Sequence, residues 1–385
     1  MGMGLSGKAA KALLESEGWE VLALDGADVW DGTGGCDLAV ASPGVALDHP
    51  WQKAARGHGV KVISELELGW TRWRGIGRSI AVTGSKGKSS VVKLLADAMN
   101  LTGRMDAFAC GNYGLPLSEL VMRLKDAPGD GRTKWAVIEV SSFQMETTST
   151  FRPDMAACLN LQEDHLDRHG SVEVYHALKM KLLSMAEKAV GPDGSFDSLL
   201  EGSYFDNDVL RPNGETAAAL LAAAGLGREE IRAGFARFAP LPHRFETVCE
   251  RGGVTYIDDS KATSLAALQA GVKMAFSRGF RGRVRLIAGG LEKGDSPKDS
   301  ISCLQSGVKK VYLIGHCAQR LFDAWSSEVP CEVCGTLENA VESARREASA
   351  GDAVLLSPGA ASFDQFKSYG ARGEAFAAYA KEEKR

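Results

Sequence analysis

The 385-residue chain carries 44% apolar and 24% charged residues and a formal charge of −4, the balance of a folded protein with ample core and, at about 150 residues per domain, of two or three domains. The mild negative charge, with no basic block or aromatic-interleaved basic stripe, gives no electrostatic footprint for nucleic acid. No apolar run approaches the ~18 residues of a membrane span and the first residues do not read as an export signal, so a cytoplasmic protein without a membrane partner is expected.

Strand candidates follow one another along the chain: 21–24 (VLAL), 38–42 (LAVAS), 79–83 (SIAVT), 135–140 (WAVIEV), 155–161 (MAACLNL), 255–258 (TYID), 284–290 (VRLIAGG), 311–315 (VYLIG) and 353–359 (AVLLSPG). Most are continuous rather than alternating, as in strands buried on both faces of a parallel sheet. Helical patterns such as SSVVKLLADAMN and TLENAVESARREASA lie between them. This alternation predicts doubly wound α/β domains, whose ligands bind beyond the carboxyl ends of the strands. Gly75–Gly77 and the segment FAPLPHRFE (238–246) punctuate the chain, which places domains at 1–77, 78–240 and 241–385. The eight scattered cysteines read as reduced thiols. Cys331 and Cys334 form a CxxC without a second pair for zinc or a thioredoxin-like context, so they belong with the others.

In AVTGSKGKSS (81–90) a strand enters a loop with Gly84 and Gly87, and Lys88 and Ser89 open a helix. The strict phosphate-loop pattern wants Gly where Val82 stands, yet the essentials remain: amides that face an anion, a lysine for phosphate charge and a hydroxyl for Mg²⁺ at a helix N-terminus. A plain Gly-Lys-Ser turn is the rival reading. Glu139 ends the run WAVIE, and Glu163, Asp164 and His165 follow NLQ; a carboxylate and an imidazole at neighbouring strand ends could hold a divalent ion near phosphate. Singly, Glu139 reads as a structural acid and His165 as a capping residue. Lys179 and Lys181, on YHALKMKLL, read as a solvated helix face. His243, Arg244, Asp259 and Lys261 lie beside turns or strand ends and together could close over the far side of a nucleotide, as a lid domain would.

In order, TGSKGKSS, CGNYGLP, EVSSFQME, NLQEDHLDRHG, YHALK, LPHRFE, DDSKATS, AGGLEKG and SPGAASFDQFKSYGARG resemble the motifs of the Mur ligases, and the resemblance covers almost the whole chain. It implies a Rossmann-like N-terminal domain for a UDP substrate, a central P-loop ATPase-like domain and a Rossmann-like C-terminal domain. It also implies ATP-driven amide formation in peptidoglycan synthesis, joining D-glutamate to UDP-N-acetylmuramoyl-L-alanine through an acyl phosphate, by an enzyme expected to be a monomer. Matching positions give ATP phosphates to Gly84, Ser85, Lys86, Gly87, Lys88, Ser89 and Ser90, one Mg²⁺ to Ser89 and Glu139, and a second to His165 and a carbamylated Lys179. Asn213, Arg244 and Asp259 match nucleotide contacts. Asn112, Ser141, Gln144 and His165 match residues around the muramoyl group, and Leu5, Ser6 and Gly44 match uridine contacts. Lys261, Thr263, Lys293, Ser362, Phe363 and Tyr369 match residues near D-glutamate or the acyl phosphate.

The chain also departs from the family pattern. The family's first strand has no counterpart before MGMGLSG, Lys86 stands for the usual Asn, and Thr216 stands where a second Asn is expected. The alternatives are another amide ligase of the superfamily, such as a folylpolyglutamate synthase, and a nucleotide-binding descendant that no longer ligates.

Overall fold

The computed structural model describes residues 1–127, 129, 131–292, 294 and 296–382. The chain forms two compact units, Met1–Asp206 with Leu210–Phe238, and Asn207–Val209 with Ala239–Arg385. Strands β1 (Leu38–Ala41) and β2 (Lys61–Ser64) pair in parallel as a small sheet. A five-stranded sheet follows: β3 (Arg78–Thr83), β4 (Met105–Gly111), β5 (Thr133–Glu139), β6 (Met155–Cys158) and β7 (Lys188–Ala189), in the order β4-β5-β3-β6-β7. All its pairings are parallel.

The continuous apolar runs are explained by burial on both faces of this sheet. Ile80, Val82 and Val137 point into one core with Val91, Leu94 and Leu95 of the helix Lys88–Asn100 and with Leu220 and Phe235 of two later helices. Ala81, Ala136 and Ile138, the alternate positions, point into the other core. Leu13, Ile63, Leu66 and Trp73 of the first 77 residues complete that second core, so the small sheet and its helices share apolar packing with the larger sheet.

The second unit holds β8 (Glu246–Arg251), β9 (Val254–Asp258), β10 (Val284–Gly289), β11 (Val308–Ile314), β12 (Cys331–Gly335) and β13 (Ala353–Leu356), in the order β12-β11-β10-β13-β9-β8. β8 runs antiparallel to β9, joined to it through Gly252 and Gly253, both at positive φ. Its core gathers Tyr256, Ile287, Leu356 and Phe376. The thiols of Cys331 and Cys334 are free, and burial pushes them up to about 11 and about 12.

The run 21–24 is not a strand. Met1 N donates to Val40 O and Ser42 N to Met1 O, a single parallel rung beside β1, and Gly2 N donates to Leu24 O. Beyond that rung, an apolar groove lined by Ala10, Leu14, Trp19, Leu22 and Leu38 separates 21–24 from β1, so the run meets no ladder. The run 155–161 ends as a strand at Cys158, and its last residues turn into a loop at the sheet's carboxyl edge.

Two glutamates are sealed under this framework. Glu65 and Glu67 begin the helix Glu65–Trp73; Glu65 Oε1 accepts from Ser118 N at 2.7 Å, and Glu67 Oε1 accepts from Thr150 N and Oγ1 at 2.7 Å each. Burial raises the Glu65 pKa above the ordinary 4.5. An acid raised in the folded state weakens the fold once ionised: the penalty is absent below the unfolded value and grows as pH rises towards the folded one. Glu65→Gln, which keeps the acceptor for Ser118, is therefore expected to raise Tm at pH 8 and to leave it unchanged near pH 4. Thermal melts at both pH values check this, and an equal shift at both would contradict it.

Candidate active site

The register of three strands builds the centre of the first unit. Val82 lies opposite Glu139 and Thr83 opposite Cys158, so the loops after β3, β5 and β6 emerge side by side. The loop after β3 turns on Gly84 (φ 141°) and Gly87 (φ 85°), and Gly87 caps the helix Lys88–Asn100. A Cβ on Gly87 would stand 2.3 Å from Asn213 Nδ2, and one on Gly84 would press on Leu159 and Asn160. Glycine is required by conformation and by space at both.

Asn160 clamps this loop from the neighbouring strand end. Its Oδ1 accepts from Lys86 N (2.8 Å), its Nδ2 donates to Lys86 O (2.9 Å) and to Asn213 Oδ1 (3.2 Å), and its carbonyl accepts from Ser85 N (3.0 Å). Ser85 Oγ donates to Gln162 O at 2.9 Å and accepts from Gln162 N at 2.9 Å and from Tyr175 OH at 3.1 Å. The loop is thus held open as a backbone cradle at a helix N-terminus, the arrangement that binds phosphate.

Three ammonium groups surround the cradle. Lys88 Nζ donates to the carbonyls of Gly84 (2.7 Å) and Ser85 (3.1 Å), Lys179 Nζ donates to Gly84 O (2.9 Å), and Lys86 Nζ pairs with Asp164 (3.1 Å). Lys179, on the helix Val172–Met185, is buried over the Tyr175 ring rather than on a solvated face. Burial first, and then the Lys88 charge, lower its pKa to about 7. His165 sits at φ 55°, against Phe143; burial lowers its pKa, which favours the neutral imidazole.

Glu139 is buried at the end of β5. Its Oε1 accepts from Asn112 Nδ2 at 2.9 Å, and its Oε2 is buried with no hydrogen-bond partner among the described residues. A sealed carboxylate oxygen beside a phosphate cradle suits a hard divalent cation, with the Ser89 hydroxyl at the helix start as the companion donor. Ser141 caps the short helix Ser142–Met145 in a capping box with Gln144, whose Oε1 accepts from Ser141 N (2.9 Å) and Oγ (3.0 Å). Leu5 and Ser6 open the helix Leu5–Ser16, and Gly44 lies in the turn after β1; Ser42 Oγ bonds Gly2 O at 2.6 Å at that same end.

The second unit gathers its polar residues at the ends of β9 and β13. Asp259 accepts from Ser357 Oγ (2.8 Å) and Phe245 N (3.2 Å), and burial raises its pKa to about 7. His243 Nδ1 meets Asp258 at 2.7 Å, and Lys261 Nζ lies 3.9 Å above the Tyr369 ring. Arg372 is buried and spans two loops: it donates to Ser260 Oγ (3.0 Å) and O (2.9 Å) and to the carbonyls of Ala360 (3.1 Å) and Ala361 (3.4 Å). Those loops carry Lys261 and Thr263 on one side and buried Ser362 and exposed Phe363 on the other.

Residues 82–191 match the Mur ligase middle domain, and residues 243–359 match the Mur ligase, glutamate ligase domain. UDP-N-acetylmuramoylalanine--D-glutamate ligase of Nitratidesulfovibrio vulgaris is 35% identical, over 98% of this chain and 94% of its own. The enzyme of the same name from Aquifex aeolicus is 32% identical, over 97% and 96%. The chain belongs to the Mur ligase family. Among solved structures, UDP-N-acetylmuramate-alanine ligase MurC of Thermotoga maritima shares the fold at TM-score 0.60 and 16% identity, covering 95% of this chain and 89% of that one. The MurF ligase of the same organism, in complex with ADP, shares it at TM-score 0.60 and 15% identity, covering 91% and 96%.

In this Mur ligase, the first unit brings together the phosphate loop, Asn112, Glu139, Ser141, Gln144, His165, Lys179 and Asn213. Arg244, Asp259, Lys261, Thr263, Ser362, Phe363 and Tyr369 fall in the second unit, and Lys293 lies outside the described residues. Sequence reasoning missed Asn160, Tyr175 and Arg372, each inside a quoted motif but without a chemical signature of its own. Gly87→Ala is expected to cost at least about 1 kcal/mol of stability through its left-handed backbone and to weaken nucleotide binding through the clash with Asn213. Urea unfolding and ATP-analogue titration check this, and wild-type affinity would contradict it.

Proposed function

We propose that this chain is an ATP-dependent ligase that joins D-glutamate to UDP-N-acetylmuramoyl-L-alanine in peptidoglycan synthesis. The observation that carries the reading is the buried Glu139 Oε2, without a partner among the described residues, at a strand end beside the phosphate loop. The names of the relatives supply the substrates.

The work divides among residues 1–77 for the uridine end, 78–240 for ATP and the muramoyl carboxylate, and 241–385 for the amino acid. The L-alanyl carboxylate oxygen attacks the γ-phosphorus and ADP leaves; the amine of D-glutamate then attacks the acyl carbon, phosphate leaves and the amine loses its proton. The loop amides and Lys88 hold the phosphates, with Ser85, Lys86, Ser90 and Asn213 in the same unit; Arg244 and Asp259, in the second unit, are assigned to the nucleotide by their match to the family motifs. Asn112, Ser141, Gln144 and His165 surround the muramoyl group, and Leu5, Ser6 and Gly44 take the uridine end. Lys261, Thr263, Ser362, Phe363 and Tyr369 receive the amino acid, where a cation suits its carboxylates.

Mg²⁺ would be held by Ser89 and Glu139, and a second ion by His165 and a carbamylated Lys179; bound there, Mg²⁺ supplies neutralisation of charge on the transferring phosphoryl group. A pKa of about 7 leaves Lys179 substantially neutral near neutral pH, as attack on CO₂ requires: the amine nitrogen bonds the carbon, a proton leaves, and an anionic carbamate replaces the neutral amine beside Lys88. The enzyme is read as a cytoplasmic monomer.

The test is phosphate release from ATP and Mg²⁺ with UDP-N-acetylmuramoyl-L-alanine, across D-glutamate, L-glutamate, L-lysine and diaminopimelate. Release should require both the UDP substrate and D-glutamate; release with another acceptor, or none at all, would overturn the reading. Glu139→Gln should lower turnover by at least ~100-fold. Lys179→Ala should lose most activity and regain part of it with a short-chain carboxylate, and full activity without rescue would sink the carbamate role.

A further inference from the structure

Arg168 lies three residues beyond His165, on the short turn Leu166–His169, and belongs to none of the residue sets above. Its guanidinium is largely buried and meets two other segments at once, the turn after β1 and the short helix that Ser141 caps. Nε and Nη2 form a fork on Glu146, at 3.0 Å to Oε1 and 2.5 Å to Oε2. Nη2 also donates to Val45 O at 3.1 Å and reaches Pro43 O at 3.4 Å. The carbon of the guanidinium lies 4.9 Å from the centre of the Phe143 ring.

Each of those partners flanks a residue of the substrate site. Pro43 and Val45 bracket Gly44, the expected uridine contact, and the same Val45 carbonyl accepts from Gln52 Nε2 at 2.9 Å. Glu146 closes the helical turn that begins at Ser141 and includes Gln144, the expected muramoyl contacts. Arg168's own backbone N–H donates to His165 O at 3.1 Å. Glu146 is further fixed by His169 Nδ1 at 3.3 Å, and His169 Nε2 meets Ser142 Oγ at 3.0 Å.

The pair is far from a surface ion pair, with side-chain exposures of 15% for Arg168 and 5% for Glu146. A pair taken that far out of water costs desolvation and is weak evidence for stability. What it offers is geometry: a planar fork with fixed donor directions, which Lys cannot reproduce. A substrate anchored at its uridine end and reacting at its alanyl end needs the distance between those anchors fixed, because small misplacement at the reacting atoms is costly.

We propose that Arg168 is a positioning residue that fixes the Gly44 loop against the loops of Ser141, Gln144 and His165, and so sets where the alanyl carboxylate lies once the uridine end is bound. The assignment of the ligand rests on the ligase reading; the tie between the loops does not.

The experiment compares wild type with Arg168→Lys and Glu146→Gln in steady-state kinetics for each substrate and in hydrogen exchange across residues 43–47. Glu146→Gln keeps shape and one acceptor should Arg168→Lys fail to fold. The KM for UDP-N-acetylmuramoyl-L-alanine should rise about 10-fold while those for ATP and D-glutamate stay within about 2-fold, and exchange at 43–47 should quicken. Equal changes for all three substrates, or wild-type exchange at 43–47, would overturn the proposal. If the wild-type protein turned over no acceptor, the ligase reading would fall by itself. Exchange would still decide the tie: faster exchange in the variants supports it, and unchanged exchange removes it.

Discussion

The pairing of β3 with β5 on one side and β6 on the other is the constraint on which the first unit depends. Because the three strands are parallel and end together, their loops open on one edge without any further device. Register then decides chemistry. Glu139 is the last residue of β5, and a slip of one position would turn its carboxylate to the opposite face of the sheet. The packed cores on both faces forbid that slip, since it would exchange every apolar side chain of the strand with its neighbour. The core is thus part of the site's precision.

Upon that frame the chain places groups that are uncomfortable together. Lys86, Lys88 and Lys179 gather at one loop, and burial first and then the Lys88 charge depress Lys179. Among the described residues no donor reaches Glu139 Oε2, and His165, a non-glycine residue, sits at positive φ. Strain and unsatisfied charge persist where the surroundings over-determine them. Here the surroundings are the Asn160 clamp and the Ser85 bonds, which fix the loop by backbone contacts that need no ligand. An anion among the lysines and a cation on Glu139 would relieve both kinds of discomfort at once.

Much of this was legible in the sequence, and the failures have physical causes. The phosphate loop could be read because strand, glycine, lysine and helix start are local features. Glu139 and His165 became readable only as a set, since a strand-end acid or a capping histidine is ordinary alone. Lys179 read as solvated because helical spacing pairs it with Tyr175 on one face but does not say that Gly84 O lies against that face. The run 21–24 has strand composition and no ladder to join, and β8 was missed because its half-exposed residues lack a continuous apolar run. Asn160 and Arg372 act through backbone carbonyls and amides that come from other segments, and no spacing rule records such partners.

The first 77 residues are bound into the same packing. Leu13, Ile63 and Leu66 share a core with Ala81, Ala136 and Ile138, the inward positions of the strands that carry the phosphate loop and Glu139. The second unit has its own core around Tyr256, Ile287 and Phe376. The loop carrying Gly44 and the loop carrying Lys88 therefore stand on one cooperative framework, while Lys261, Thr263 and Ser362 stand on another. A substitution that loosens the helix Glu65–Trp73 also disturbs the core beneath β3 and β5, because Leu66 and Ile138 belong to one layer. Arg168 acts within that layer's reach: it does not bring two bodies together, but removes the last freedom between loops whose strands are already fixed.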